Sequence, residues 1–389
     1  MAELQNNVAL VFSASGISGW AVTKNLLSYP SKTTFSRVIA LTHQPRTVED
    51  SGLPKDPRLE LYSGINLCLD LQNIKQQMHS IIPDLNKVTH VYYLGMSTTA
   101  IKGRTNRIKH TPIQQPTRRM SWLLKTFNIN ITYNAVHAVD QLCSSLKFFI
   151  LQTGTNNYSV AIFQHMDKIK INPPLREDNP RIPSPWGDEI FYYTQVNLIK
   201  EAAQGKEWRW CEVRPDQIIR HVPAVTSMTY VKPVALYLAL YCYINRPGAK
   251  INFPGTKRNY AYMFTDSSQD IITWSEIYLS VKKPEKVNRE GFNITDTATL
   301  GLWSVKWPWW EEHQEDYKKM CQEYSLKEHS IQLATWVFLK AGFMLLDRNH
   351  EMSLDKIRGL GFTKELPVGH GYFKAFDHMV QEKILPSFK

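Results

Sequence analysis

Val8-Ala9-Leu10-Val11-Phe12-Ser13-Ala14-Ser15-Gly16-Ile17-Ser18-Gly19-Trp20-Ala21 is the stretch that decides the fold. Its first five residues form an unbroken apolar run of strand length, the pattern of a strand buried on both faces. A turn of small residues follows, Ser13 to Gly19, and then a helical pattern from Trp20 to Leu27. A strand, a glycine-bearing turn and a helix in that order make a cradle for an anion. Bare backbone N–H groups and the positive end of the helix face the charge. The glycine spacing alone is a weak signal, and its place directly after the first strand is what gives it weight.

Working outward, the alternation continues. Arg37 to Thr42, Val88 to Leu94 and Phe148 to Gln152 read as further strands, and Ile131 to Leu142 as an intervening helix. Strands alternating with helices predict an α/β fold, a Rossmann-type doubly wound parallel sheet. Two stretches interrupt it. Lys102 to Thr117 is polar and basic and contains Pro112 and Pro116, so it reads as an irregular insertion. Ile171 to Trp186 is proline-rich and reads as a surface loop before a helix near Phe191. After Pro215 the pattern becomes mixed, with a tryptophan-dense run from Trp303 to Trp310. The expected division is therefore a nucleotide-binding-like core over 1–215, with its basic insertion near 102–119. Residues 216–389 form a smaller C-terminal region that caps the sheet and shapes a substrate pocket.

Composition narrows the function. With 43% hydrophobic and 21% charged residues, the chain has the make-up of a soluble globular enzyme. Its 11 Trp and 18 Tyr suit a pocket for an apolar ligand as well as a core. The net charge of +11 is uneven, since no acidic residue falls between Asp84 and Asp140. That basic stretch lacks interleaved aromatics, helix-turn-helix pattern or zinc spacing, so nucleic acid is not an expected partner. The five cysteines form no CxxC pair and read as buried thiols of a reducing compartment. No secretory signal is evident, and the longest apolar stretch, Val234 to Ile244, is too short to span a bilayer. A cytoplasmic protein without membrane partners is expected. No HExxH or other metal-ligand spacing occurs among the 12 histidines, and no GxSxG elbow is present. Oligomeric state is not legible.

The opening motif resembles the start of the progesterone 5β-reductase/iridoid synthase-like family in its fungal form. The likeness continues in Thr89-His90-Val91-Tyr92-Tyr93, Leu151-Gln152-Thr153-Gly154, Phe191-Tyr192-Tyr193 and Glu212-Val213-Arg214-Pro215. It persists in Phe253-Pro254-Gly255-Thr256, Thr265-Asp266-Ser267-Ser268-Gln269-Asp270 and Leu354 to Phe362. The resemblance implies an atypical extended short-chain dehydrogenase that reduces the C=C bond of enones or enals with NADPH. It implies a catalytic tyrosine at Tyr192, which stabilises the developing enolate oxygen.

Several positions depart from that family. Its catalytic lysine is Asn156, which retains a neutral donor but no charge. The first glycine of the turn is Ser13, although Gly16 and Gly19 remain. The arginine for the 2′-phosphate is missing from Thr42-His43-Gln44-Pro45, with Arg46 as a partial substitute. The aspartate near the adenine is Asn66, and a glycine beyond Pro215 is Arg220. Met96 takes the place of an aromatic at the pocket wall. Together with Tyr158, Tyr193, Arg220 and His221, it is expected to line the substrate site.

These departures suggest a degraded nucleotide site. The expected enzyme is a non-redox cyclase or isomerase that needs no cofactor and acts on a small apolar enone or polyene natural-product intermediate. Tyr192 and Asn156 would polarise its carbonyl. The alternatives are an NADPH-dependent enone 1,4-reductase and a catalytically inactive ligand-binding protein.

Overall fold

The computed structural model describes residues 6–95, 118–160, 168–220, 222, 231–246, 248–250, 262–297, 313–331, 336 and 348–387. Met96, His221, the basic stretch 102–117 and the run from Trp303 to Trp310 lie outside the described residues.

The first half alternates as its hydrophobic pattern dictates: β1 (Val8–Phe12), α1 (Ile17–Leu26), β2 (Arg37–Thr42), α2 (Val48–Ser51), β3 (Leu59–Ser63), α3 (Leu71–Ile81) and β4 (His90–Tyr93). Then follow α4 (Arg118–Leu142), β5 (Phe148–Gln152), α5 (Phe191–Ala202), β6 (Arg209–Pro215) and β7 (Gln217–Ile219). The remainder supplies α6 (Val231–Asn245), β8 (Asp266–Ser268), α7 (Gln269–Lys282) and β9 (Glu290–Ile294). The last helices are α8 (Gln314–Glu323), α9 (Asp355–Gly359) and α10 (His370–Gln381).

Seven strands form one sheet in the order β3-β2-β1-β4-β5-β6-β9. Each neighbouring pair is parallel. The two-residue repeat of β1 divides its side chains between two cores. Ala9 and Val11 face Ala21 and Val22 of α1 and Ile271 and Ile272 of α7. Val8, Leu10 and Phe12 face Ile74 and Met78 of α3, Val136 and Val139 of α4 and Ile199 of α5. Each large aliphatic side chain taken fully out of water contributes about 1.5–3 kcal/mol, so a strand buried on both faces anchors both helical layers.

The sheet runs across the division expected at residue 215. Its last strand, β9, pairs with β6 from Cys211↔Glu290 to Pro215↔Ile294. The C-terminal part adds a two-stranded parallel sheet of β7 and β8. That small sheet is tied to the end of β9, because Asp296 donates its N–H to the Asp266 carbonyl at 2.8 Å. The Asp296 carboxylate accepts the Ser268 N–H at 2.6 Å. A third core joins α6, α8 and α10 through Leu236, Tyr317, Met320 and Met379.

Some boundaries differ from the sequence reading. Helix α1 begins at Ile17 inside the glycine turn, because Ser18 and Gly19 are small enough to pack there. Helix α4 begins at Arg118 rather than Ile131. Trp208 and Trp210 both enter the core. Of the cysteines, Cys68 is exposed and Cys242 half-buried, so burial holds only for Cys143, Cys211 and Cys321.

Candidate active site

Ligands of open parallel sheets bind beyond the carboxyl ends of the strands, where the strand order reverses. Here that point lies between β1 and β4. The turn after β1 is tight. Ser13 adopts φ 60°, in the left-handed region where glycine is at ease. Its carbonyl accepts the Gly16 N–H at 2.8 Å, and Ala14 N–H bonds the Leu41 carbonyl of β2 at 2.8 Å. A Cβ on Gly19 would sit 2.1 Å from the Ser13 carbonyl oxygen, so only glycine closes the turn. Gly16 caps α1 in extended conformation without any side-chain hydrogen bond. No N-cap side chain occupies the first-turn N–H groups of α1.

At the end of β2, His43 and Gln44 are exposed and Arg46 is half-buried. Thr42 Oγ1 donates to the Gln44 carbonyl at 2.8 Å, which fixes the bend of that loop. Asn66, exposed beyond β3, uses its side-chain oxygen locally to accept the Cys68 N–H at 3.0 Å.

On the other side of the switch point, β5 ends in a short 3₁₀ turn, Thr155–Tyr158. Tyr192, in the first turn of α5, packs its hydroxyl against Gly154 immediately before that turn. A Cβ there would lie 3.8 Å from the Tyr192 hydroxyl oxygen and 3.3 Å from the Pro215 carbonyl. Asn156, half-buried, lies within the same turn. Tyr192 is half-buried. Desolvation, with the negative charge of Glu212 behind it, pushes the phenol up to about 12. At neutral pH Tyr192 is therefore a neutral hydrogen-bond donor.

Beneath this turn runs a network that the sequence reading did not single out. Glu212 of β6 accepts from Thr153 Oγ1 at 2.5 Å and from Asn157 Nδ2 at 2.6 Å. It also pairs with Arg214 through Nε at 2.9 Å and Nη2 at 2.7 Å. Arg214 donates to the Tyr158 hydroxyl at 3.0 Å, and Tyr158 donates to Asn293 Oδ1 of β9 at 2.7 Å. Burial pushes Tyr158 up to about 12, against the nearby Arg214 charge. Tyr193 donates to the Asn157 carbonyl at 2.6 Å and accepts the Ile182 N–H at 3.0 Å. The hydroxyls of Tyr158 and Tyr193 are thus engaged inside the protein.

Arg220 is buried at the end of β7, its guanidinium 4.5 Å over the Trp20 ring of α1 and 3.9 Å from Asp270. Burial lowers its pKa, with Asp270 opposing. The structure thus sets this cation against the first half of α1.

Residues 9–314 match the PRISE-like Rossmann-fold domain. The chain belongs to the PRISE family. A short-chain dehydrogenase of Aspergillus calidoustus, ausT, is 48% identical over 99% of this chain and 96% of its own. The 3-oxo-Δ(4,5)-steroid 5β-reductase of Arabidopsis thaliana is 24% identical, covering 84% of this chain and 71% of its own. Among solved structures, the enzyme WbmH of Bordetella bronchiseptica, in complex with NAD+, superimposes with a TM-score of 0.56 at 12% identity. That match covers 98% of this PRISE chain and 100% of WbmH. The shared fold is that of the extended short-chain dehydrogenases.

One expectation is corrected here. An enzyme needing no cofactor is at odds with the nucleotide-bound solved relatives of this scaffold. The physical reason lies in what the cradle is made of. The cradle consists of backbone N–H groups and the α1 N-terminus, and Ser13 holds a positive φ of 60° there. The turn at Ser13 closes through main-chain bonds alone, Gly16 N–H to the Ser13 carbonyl and Ala14 N–H to the Leu41 carbonyl, so the residues present fit a dinucleotide. No helix among the described residues is long and apolar enough to cross a membrane.

Proposed function

We propose that this PRISE chain binds a nicotinamide dinucleotide and reduces the C=C bond of an apolar enone or enal intermediate of natural-product biosynthesis. The observation that carries the reading is Tyr192, a neutral phenol with a pKa of about 12, packed on Gly154 at the same sheet edge as the glycine cradle. When bound, the dinucleotide supplies the hydride. Tyr192 donates a hydrogen bond to the carbonyl oxygen as negative charge gathers there, and Asn156 offers a second, uncharged donor. The enclosed Glu212–Arg214 pair and the Tyr158 and Tyr193 hydroxyls brace this turn. His43, Gln44 and Arg46 border the adenosine end. The absence of an acid directly after β2 favours NADPH over NADH, since a carboxylate there would repel a 2′-phosphate.

A second reading rests on Asn156. With an amide where the family carries an ammonium, the two donors polarise a carbonyl without strong charge assistance. That suits ring closure or isomerisation in a pocket walled by the dinucleotide.

Titration with NADPH, followed by its oxidation in the presence of small cyclic enones and enals, tests the proposal. Micromolar binding with enone-dependent oxidation is expected, and no binding overturns it. Binding with substrate conversion but no NADPH oxidation favours the second reading. Tyr192→Phe is expected to lower turnover about 100-fold, the scale for losing one oxyanion donor, with unchanged NADPH affinity. Undiminished turnover would remove Tyr192 from the chemistry.

A further inference from the structure

Arg348 reaches the Asn156 turn from far along the chain. Its guanidinium donates twice to main chain, Nη2 to the Ser159 carbonyl at 3.1 Å and Nη1 to the Ile169 carbonyl at 2.9 Å. Ser159 directly follows the 3₁₀ turn Thr155–Tyr158 that carries Asn156. Its N–H donates back to the Asn156 carbonyl at 3.0 Å. Ser159 is buried and adopts φ 63°, in the left-handed region that costs a serine more than a glycine. Its hydroxyl does not secure that conformation, being enclosed without a hydrogen-bond partner among the described residues. Ser159 is held instead through its main chain, by the bond to Asn156 on one side and the bond from Arg348 on the other. A strained residue persists where its surroundings over-determine it, and such residues gather at working sites.

The segment that bears Arg348 is itself fastened down. The Arg348 carbonyl accepts from His350 Nδ1 at 2.9 Å. Leu175 donates its N–H to the Glu351 carbonyl at 2.7 Å, and its own carbonyl accepts the Ser353 N–H at 2.8 Å. Leu175 and Met352 pack in one apolar cluster with Tyr158 and Val160, the two neighbours of Ser159. This C-terminal segment is thus seated against the turn that Arg348 grips. A guanidinium suits the task, because its planar fork presents two donors in fixed geometry to two carbonyls, where an ammonium is a single point. We infer that Arg348 is a positioning residue for the Asn156 turn: it holds Ser159, and through Ser159 it sets Asn156 in place before a substrate arrives. The consequence for turnover rests on the reading of Asn156 as a carbonyl-directed donor proposed above. The grip on the turn does not.

Two measurements on the full chain test this, using Arg348→Met, which keeps an extended side chain and loses both donors. Hydrogen–deuterium exchange reads the turn directly, through the Asn157 and Ser159 amides that bond the Gly154 and Asn156 carbonyls. Exchange of the peptide spanning the turn is expected to quicken about tenfold, the scale of one lost charge-assisted hydrogen bond. The peptide over β1 and α1 should exchange as in the wild type. Unchanged exchange at the turn overturns the inference. So does a rise spread evenly along the chain, which would make Arg348 a general stabiliser. Enone-dependent NADPH oxidation then reads the consequence. Arg348→Met is expected to lower kcat about tenfold, with the KM for NADPH unchanged. Added to Asn156→Ala, it should cost less than about twofold more, because the group it positions is already gone. An unchanged kcat, or losses that multiply in the double variant, overturns the link to Asn156. A wild type that oxidises no NADPH defeats the proposed function, and the exchange result still decides whether Arg348 holds the turn. Arg348→Lys, which keeps the charge and loses the fork, repeats both measurements if the methionine variant does not fold.

Discussion

Replacing Glu212 with alanine removes the anion on which the floor of the site is built. The carboxylate is 2% exposed and the Arg214 side chain 17% exposed. Breaking a buried ion pair by deleting one partner costs about 3–5 kcal/mol, because the other charge is left uncompensated. Arg214 keeps its bond to the Tyr158 hydroxyl and some contact with water, which places this case at the low end. Thr153 and Asn157 lose their acceptor as well. They remain bonded to each other, Asn157 Nδ2 to Thr153 Oγ1 at 2.9 Å, so only one donor is orphaned, at a further cost of about 1 kcal/mol. The sum is about 4 kcal/mol, a large share of the 5–15 kcal/mol by which domains are ordinarily stable. Urea denaturation at pH 7, followed by tryptophan fluorescence, measures it. Glu212→Gln retains the shape and one acceptor and should lose about half as much. An alanine variant within 1 kcal/mol of wild type would refute the reasoning.

Two further outcomes follow from single residues. Ser13→Gly relieves the left-handed backbone at φ 60° and is expected to raise stability by about 1 kcal/mol, read by urea denaturation. A loss of stability would show that the Ser13 side chain makes a compensating contact. Burial raises Asp296 from 3.8 to about 6, partly opposed by its bonds from Ser268. The folded state thus holds the proton more tightly than the unfolded chain. The stability this lends is complete below about pH 4 and is lost as pH rises through about 6. Asp296→Asn should flatten that decline in urea midpoints measured from pH 4 to 7. An identical decline in both proteins would contradict it.

Much of the scaffold was readable because its signals are local. The strands β1, β2 and β5 are apolar runs bounded by turn residues, and their ends fall where the pattern places them. The start of α4 was hidden, since Arg118, Arg119 and Lys125 carry no apolar stripe that sets them apart from the basic stretch before them. Within the site, the turn around Gly154 and the helix bearing Tyr192 were legible as motifs. The role of Glu212 was not. A glutamate in a strand reads as solvent-facing, and only the convergence of Thr153, Asn157 and Arg214 on it reveals a buried hub. Asn293 was missed for the same reason, lying far along the chain from the Tyr158 hydroxyl that it receives. Fitness for a cofactor is not legible from side chains such as Ser13, because the cradle is built of main chain.

The late arrival of β9 bears on how this protein is made. Until residue 290 leaves the ribosome, β6 presents an unpaired edge from Cys211 to Pro215. At about 5–20 residues per second that edge stands open for several seconds, long enough for strangers to pair with it. The final strand also brings Phe292 to the helical layer of α1 and α7 and Asn293 to the Tyr158 hydroxyl. Closing the sheet and finishing the floor of the site are therefore one event. A nascent chain completes the floor of the candidate site only when β9 docks, and a product cut short before residue 290 would have neither.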